Sequence, residues 1–255
     1  MNQNKLPDFL IIGTQKGGTS SLFYYLSQHP NVICPQKKEI HFFDLNYNSG
    51  RDWYSNHFEF DFHHPSIFLT GEASPYYLFH PLVPQRVYGT CPNVKLIILL
   101  RNPVNRAYSH YMMQKNRSIE KCQTFEEAIQ IEPIRLKGEY DKFFKDKSYR
   151  SYNYQKFSYL ERGQYFTQIE NWLKYFPITS FLFLKSEELF ADPKSALQKT
   201  YSFLNIREVF PKDLSPVNTN KYNPMLKDTR LKLEKYFFES VLELQNTIKI
   251  SLDWF

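Results

Sequence analysis

A glycine-rich stretch near the amino terminus carries the strongest chemical signal in this sequence. Residues 13–21 read Gly-Thr-Gln-Lys-Gly-Gly-Thr-Ser-Ser and lie between an apolar run and the first apolar positions of a helix. A glycine turn between a strand and a helix exposes backbone N–H groups, and the helix N-terminus adds a positive dipole. Lys16 adds a fixed positive charge inside this turn. We interpret the loop as a phosphate-binding cradle in preference to a purely structural turn.

The position of the lysine distinguishes this loop from that of nucleotide triphosphatases. In their pattern, G-x-x-x-x-G-K-[ST], the lysine directly follows the last glycine and the next hydroxyl holds magnesium. Here Thr19 follows Gly18, and the lysine stands earlier, at position 16. This placement suits donation to a bridging oxygen at the 5′ end of a nucleotide better than a metal-assisted clamp on a β- or γ-phosphate.

A second anion-binding pattern follows the apolar run 94–100. Arg101 ends this run, Asn102 and Pro103 supply an N-cap and a first-turn proline, and Ser109 lies about two turns into the helix. The arginine offers forked donors, so it and the serine can converge on one anion from two sides. For Arg101 alone, an arginine that caps the helix or forms an ion pair on the surface would be the favoured interpretation. Together the two residues predict a second phosphate site.

Alternating strand and helix patterns predict the fold that positions these motifs. Buried strands are expected at 8–13, 67–71, 94–100 and 180–184. Helical periodicity is found at 22–26, 104–112, 165–176, 196–204 and 233–244. This alternation predicts a three-layer, P-loop-like α/β fold with a central, mostly parallel sheet flanked by helices. Ligands of such sheets bind at the carboxyl ends of the strands, where both motifs stand.

Length, composition and net charge indicate the number of domains and the class of ligand. The chain has 255 residues, 42% of them hydrophobic, and a net charge of +6, which favours one domain over 1–255 and an anionic ligand. Its three cysteines show no C-x-x-C spacing, which indicates neither a disulfide framework nor a zinc site and fits a reducing cytoplasm. The apolar run Phe9–Ile12 is too short for a signal peptide or a membrane span. Residues 114–158 are expected to form an insertion, either a lid or a solvated surface.

Several stretches, in order along nearly the whole chain, resemble sulfotransferases that use 3′-phosphoadenosine 5′-phosphosulfate (PAPS). Residues 9–22, FLIIGTQKGGTSSL, are similar to their 5′-phosphosulfate loop, and residues 96–111, LIILLRNPVNRAYSHY, to their 3′-phosphate motif. The heparan sulfate N- and 3-O-sulfotransferase branch is the most similar. Its motifs are resembled by 39–44 (EIHFFD), 71–76 (GEASPY) and 252–254 (LDW).

The resemblance implies PAPS as co-substrate, 3′-phosphoadenosine 5′-phosphate (PAP) as product, and no metal. It implies that Lys16 contacts the 5′-phosphosulfate and that Arg101 and Ser109 hold the 3′-phosphate. Further donors to the 5′ group are implied at Gly17, Gly18, Thr19 and Ser20. Lys221 is implied to close over the cofactor, although a solvated lysine would fit this position equally well.

The resemblance also implies a catalytic base. In that branch the glutamate of E-x-H-F-F is the general base, which corresponds to Glu39, with His41 nearby. Sulfuryl transfer is an in-line displacement in which the acceptor loses a proton while negative charge builds on the leaving phosphate. Glu39 suits the first role and Lys16 the second. His41 stays an alternative base, because a histidine ordinarily titrates near neutrality.

Two departures from the branch bear on the acceptor. Ala73 replaces the lysine of E-K-[ST], so that one positive contact to an anionic glycan is missing. The cysteines of a C-terminal disulfide loop are also absent, and 220–224 resembles only the basic part of that loop. The expected acceptor is therefore a hydroxyl or amine of a small natural product or an oligosaccharide.

The alternative functions fit the sequence less well. A P-loop small-molecule kinase would need magnesium, a lysine at position 19 and an acidic residue at a strand end, where Thr19 and Arg101 stand instead. A nucleic-acid or glycan binder would show a long basic stripe, whereas the charges here are interspersed. We therefore expect a cytoplasmic sulfotransferase with no nucleic-acid partner and no membrane association.

Overall fold

The computed structural model describes residues 5–58, 68–217 and 222–255. Packing divides the chain into two compact units. The first contains Met1–Leu100 and Leu173–Thr219, and the second contains Arg101–Trp172 and Asn220–Phe255. The single domain expected from the chain length stays a prediction.

A five-stranded sheet, entirely within the first unit, is the framework of that unit. Its strands are β1 (Phe9–Gly13), β2 (Val32–Ile33), β3 (Leu69–Ala73), β4 (Lys95–Leu100) and β5 (Phe181–Lys185). Their order is β2-β3-β1-β4-β5, and every pairing is parallel. The central strand β1 pairs through Phe9 with Gly71 on one side and with Lys95 on the other. The α/β fold with a parallel central sheet is therefore confirmed.

Helices connect and flank these strands. In chain order the α-helices are α1 (Thr19–Ser27), α2 (Phe42–Leu45), α3 (Gly50–Ser55), α4 (Val83–Thr90), α5 (Pro103–Asn116), α6 (Phe125–Leu136), α7 (Glu139–Lys145), α8 (Tyr152–Lys156), α9 (Tyr165–Leu173), α10 (Ser186–Ala191), α11 (Pro193–Leu204) and α12 (Lys227–Ile248). In the part of the chain that the structure describes, no helix is long and apolar enough to cross a membrane.

Both faces of β1 are buried, which explains its continuous apolar sequence. Phe9 and Ile11 lie in a core cluster with side chains of α1 and α11, while Leu10 and Ile12 point to the opposite face and are also fully buried. Side chains alternate across a strand, so a central strand covered on both sides needs apolar residues throughout. This packing fixes the carboxyl end of β1, where the glycine-rich loop begins.

The predicted elements correspond closely to the observed ones. The strands expected at 8–13, 94–100 and 180–184 agree within a residue with β1, β4 and β5. The strand expected at 67–71 begins two residues later, at Leu69, and Ile67 lies outside the described residues. The helix expected to run to Phe176 ends at Leu173. Strand β2 was not predicted, because two residues show no periodicity.

The segment 114–158 is helical. It contains the end of α5 and the three helices α6, α7 and α8. Helix α6 begins with a capping box, in which the Thr124 hydroxyl accepts from the Glu127 N–H and the Glu127 carboxylate accepts from the Thr124 N–H. The Thr-x-x-Glu spacing is the sequence signal that predicts this helix start.

Candidate active site

The glycine-rich loop is closed by backbone contacts at the carboxyl end of β1. The Thr14 N–H donates to the Leu99 carbonyl at 3.0 Å, and the Gly17 N–H donates to the Thr14 carbonyl at 2.8 Å. A Cβ atom at Gly17 would lie 2.7 Å from the Leu99 carbonyl oxygen. This distance is too short for any side chain, so the tight turn requires glycine at position 17.

The loop leads directly into α1. Gly18 precedes the helix with φ of 94°, a left-handed conformation that favours glycine. Within the described residues no side-chain hydrogen bond caps α1. The N–H groups of Thr19 and Ser20 therefore stand at a helix N-terminus that Gly18 leaves without a side-chain acceptor, as an anion site requires.

Two further features of the loop fit an anionic ligand. Lys16, which is half-buried, has φ of 72°, although left-handed backbone is unfavourable for a residue with a Cβ atom. The buried Thr14 hydroxyl has no hydrogen-bond partner among the described residues. Strained backbone and unsatisfied buried polar groups concentrate at functional sites. Thr14 was not predicted, and its place inside the glycine-rich stretch is the signal that could have identified it.

Glu39 and His41 lie together in a chain of ionisable groups. The His41 Nε2 atom is 3.3 Å from the Glu39 carboxylate, and the His41 Nδ1 atom is 2.7 Å from the Asp44 carboxylate. Lys38 contacts Glu39 from the other side, with 2.8 Å between Nζ and Oε1. The Asp44 side chain is fully buried, whereas 44% of the Glu39 side chain is exposed. His41 is therefore held between one buried and one exposed carboxylate.

This arrangement separates the pKa values of the two candidate bases. Partial burial favours neutral Glu39, but the hydrogen bond from His41 and the charge of Lys38 outweigh it and lower the Glu39 pKa to about 2. Burial likewise favours neutral His41, but the carboxylates of Asp44 and Glu39 outweigh it and raise the His41 pKa to about 10. At neutral pH the pair is a carboxylate and an imidazolium, and only the carboxylate has lone pairs that can accept a proton.

Asp44 is a site residue without a predicted role. Its Oδ1 atom accepts from the Leu45 N–H at 2.7 Å, which fixes the carboxylate while Oδ2 faces His41. The spacing of His41 and Asp44 places them three residues apart across the start of α2. A His-x-x-Asp pattern beside the candidate base is the signal that could have found it.

Arg101 and Ser109 are placed by the start of α5, in the second unit. The Arg101 carbonyl accepts from the Tyr165 hydroxyl at 2.9 Å. The Asn102 side chain accepts from the N–H groups of Val104 and Asn105, each at 3.1 Å, which confirms the predicted N-cap. Ser109 is buried and stands roughly 9 Å along the helix axis from Pro103, at 1.5 Å per residue.

Lys221 lies outside the described residues, so its predicted role is not addressed by any contact. The described chain just beyond it is tied to α5. The Tyr222 ring lies 5.4 Å from that of Tyr108, whose hydroxyl donates to the Asn223 carbonyl at 2.9 Å. Tyr108 is the neighbour of Ser109 and was not predicted to have a role.

The predicted site residues that the structure describes fall into three groups. Lys16 and residues 17–20 lie in the loop and first turn of α1, and Glu39 contacts His41; all of these belong to the first unit. Arg101 and Ser109 belong to the second. Over residues 5–58, 68–217 and 222–255, no cluster of three or more acidic, histidine or cysteine side chains has the geometry to hold a metal ion.

Comparisons with known proteins agree on one family. The sequence model of the sulfotransferase domain matches residues 6–245. Among curated proteins, the membrane-associated sulfotransferase kil1 of Dictyostelium discoideum is 28% identical over 98% of this chain, and the human heparan sulfate glucosamine 3-O-sulfotransferase 5 is 32% identical over 89%. This chain spans 66% of the length of the first relative and 58% of the second.

Solved structures show the same similarity. A crystal structure of a sulfotransferase from Alicyclobacillus acidocaldarius matches with a TM-score of 0.79 at 30% identity, covering 97% of this chain and 98% of that one. The mouse sulfotransferase SULT7A1, solved with PAP, matches with a TM-score of 0.55 at 18% identity over 92% of this chain and 84% of that one. The second match is evidence for the fold alone.

Proposed function

The chain belongs to the sulfotransferase family, and on that premise we propose that it moves the sulfuryl group of PAPS to a hydroxyl or amine acceptor. The observation that carries the proposal is the loop after β1. The tight turn at Gly17, the start of α1, which no side chain of the described residues caps, and the charge of Lys16 together make a compact anion cradle. None of the comparisons supports the kinase alternative.

The loop residues fit the 5′ end of PAPS as the donor substrate. Lys16 supplies positive charge, Gly17 and Gly18 allow a close backbone approach, and Thr19 and Ser20 add N–H and hydroxyl donors. The Thr14 hydroxyl, which has no partner in the part of the chain that the structure describes, is a further donor at the base of the loop. PAP is the proposed product, with Arg101 and Ser109 assigned to its 3′-phosphate and Lys221 to the segment that closes over the cofactor; the structural neighbour SULT7A1 is itself complexed with PAP.

In the proposed reaction the acceptor oxygen or nitrogen attacks the sulfur while the bond from sulfur to the 5′-phosphate oxygen breaks. The acceptor proton passes to the Glu39 carboxylate, and PAP leaves with the bonding electron pair. Lys16 stabilises the negative charge that develops on the leaving phosphate. The raised pKa of His41 supports Glu39 as the base and gives His41 a different role, in orienting Glu39.

A small natural product or an oligosaccharide is the proposed acceptor. The human relative is named for heparan sulfate glucosamine, but Ala73 stands where that branch carries a lysine. The expected cytoplasmic location stays a prediction, because one relative is named membrane-associated. Fractionation of cells that express the chain would separate the two locations.

Replacing Arg101 by alanine should weaken PAP binding about 10- to 100-fold, the value of a charge-assisted hydrogen-bond pair. Binding of 5′-AMP should hardly change, because 5′-AMP lacks the 3′-phosphate. Calorimetric titration of the variant with both nucleotides measures the difference. Arg117→Ala, which removes an exposed arginine just after α5, is the matched control and should leave both affinities intact. Equal losses for PAP and 5′-AMP would refute the 3′-phosphate assignment.

A further inference from the structure

Beneath the Glu39–His41 pair lies a buried carboxylate that has no role in the proposed chemistry. Glu72, near the end of β3, is fully buried and accepts hydrogen bonds from three hydroxyl groups. Those of Tyr54 and Tyr77 donate to its Oε1 atom at 2.9 and 2.7 Å, and that of Ser74 donates to Oε2 at 2.7 Å. All three donors are themselves fully buried.

Two of these hydroxyls also accept hydrogen bonds from the backbone beside the candidate base. The Ser74 hydroxyl accepts from the His41 N–H at 3.3 Å, and the Tyr77 hydroxyl accepts from the Phe42 N–H at 2.9 Å. Two consecutive hydrogen bonds, through the Ser74 or the Tyr77 hydroxyl, therefore link the Glu72 carboxylate to the backbone of the turn. We call this arrangement the relay. Tyr54 differs, because its hydroxyl donates to Glu72 and its ring stacks on Phe42, but no hydrogen bond runs from its hydroxyl to this backbone within the described residues.

The backbone held by the relay is strained. Glu39 and His41 have φ of 64° and 55°, left-handed values that cost on the order of 1 kcal/mol or more for each residue. Such conformations persist only where surrounding contacts enforce them. The Glu39 N–H also donates to the Ala73 carbonyl at 3.1 Å, so the turn is fastened to the end of β3 directly and through both hydroxyls.

Glutamate suits this position better than glutamine would. A carboxylate is an acceptor at both oxygens, so it can take all three hydroxyl protons and leave the hydroxyl lone pairs for the backbone. A glutamine has one oxygen and an NH₂ group, which would face a hydroxyl that needs an acceptor. Burial raises the Glu72 pKa, and the hydroxyl donors oppose that effect.

We propose that Glu72 is a positioning residue: through Ser74 and Tyr77 it fixes the strained turn that holds Glu39 against His41. This inference rests on the proposed function, because it explains how the proposed base is aimed. The chemistry itself stays with Glu39, and Glu72 acts only through its neighbours.

Tyr77→Phe and Tyr54→Phe form a matched pair that tests the relay. Each removes one hydroxyl from the same carboxylate oxygen and keeps a fully buried ring. Only Tyr77→Phe also removes an acceptor from the turn. Glu72→Gln is the third variant, and if it fails to fold, the tyrosine pair decides the question alone.

The first readout is the titration of the His41 ring, followed by NMR in the full chain. In the parent protein the His41 pKa is raised to about 10 by the two carboxylates. Tyr77→Phe and Glu72→Gln should bring it down towards the ordinary histidine value, because a loosened turn weakens the contacts of His41 with Glu39 and Asp44. Tyr54→Phe should leave the His41 pKa at its parental value.

The second readout is turnover of PAPS, measured as PAP release with tyramine, a glucosamine disaccharide or water as acceptor. Tyr77→Phe and Glu72→Gln should lower the rate about 10- to 100-fold, as a small displacement of a catalytic group does. Tyr54→Phe should turn over near the parental rate, and PAP affinity should stay unchanged in all three variants. Equal effects of the two tyrosine variants on the titration and the rate would overturn the proposal. Failure of the parent to bind PAP would refute the proposed function instead, and the His41 titration would still decide the relay.

Discussion

Glu39→Gln is expected to reduce sulfuryl transfer by about 10²- to 10⁴-fold, the usual contribution of a general base. Glutamine keeps the size of the side chain and its contact with His41 but cannot take the acceptor proton. PAP affinity should change little, because the loop at Lys16 and the motif at Arg101 are proposed to hold the nucleotide. PAP release from PAPS measures the rate, and calorimetric titration measures the affinity.

The pH dependence of the parent protein provides a second test of this assignment. The Glu39 pKa is lowered to about 2, so its basic form is lost only when the pH falls towards that value. A rate that depends on Glu39 should therefore stay level between neutral and mildly acidic pH. A rate that instead climbs steadily as the pH rises from neutral towards 10, the value to which the His41 pKa is raised, would transfer the base role to His41. Glu170→Gln, at an exposed position on α9, is the control for Glu39→Gln and should leave the rate of transfer unchanged.

Lys16→Met is expected to lower the rate of transfer by about 10²- to 10³-fold, the loss typical of removing one group that stabilises a developing negative charge. Methionine keeps an unbranched side chain and meets the same left-handed backbone, so the change isolates the positive charge. The rate should fall more than the affinity for PAP, because charge accumulates on the leaving phosphate in the transition state. Single-turnover release of PAP and calorimetric titration separate the two effects.

Lys37→Met serves as the control for Lys16→Met, because Lys37 is exposed and contacts neither the loop nor the Glu39 carboxylate among the described contacts. A parental rate in Lys16→Met would contradict the role of Lys16 at the leaving group. A loss confined to affinity would limit Lys16 to binding the substrate.

The fold could be predicted where sequence patterns are long and local. The apolar runs of β1 and β4 are strong signals because both faces of these strands are buried, and Asn102-Pro103 marks the start of α5 through local capping chemistry. Strand β2 escaped prediction because its two residues are defined by pairing with β3, which is distant in sequence. Local sequence patterns therefore predicted most of the framework, whereas β2 depends on a pairing between segments that are distant in sequence.

The site was predictable in its residue types but not in its electrostatics. The motif around Glu39 indicated a base, yet the opposed pKa values of Glu39 and His41 result from burial and from contacts with Lys38 and Asp44, which the residue types alone do not predict. The positioning role proposed for Glu72 could not be predicted from the sequence for a similar reason. The turn that it positions is distant in sequence, since the His41 N–H lies 33 residues before the Ser74 hydroxyl that accepts from it, and only the tertiary fold brings the two together.

Calorimetric titration of the purified chain with PAP and with ATP, each with and without Mg²⁺, decides which nucleotide the protein uses. The proposed function predicts tight binding of PAP that does not depend on the metal, and weak binding of ATP under both conditions. A preference for ATP in the presence of Mg²⁺, with weak binding of PAP, would contradict sulfuryl transfer from PAPS and favour the kinase alternative.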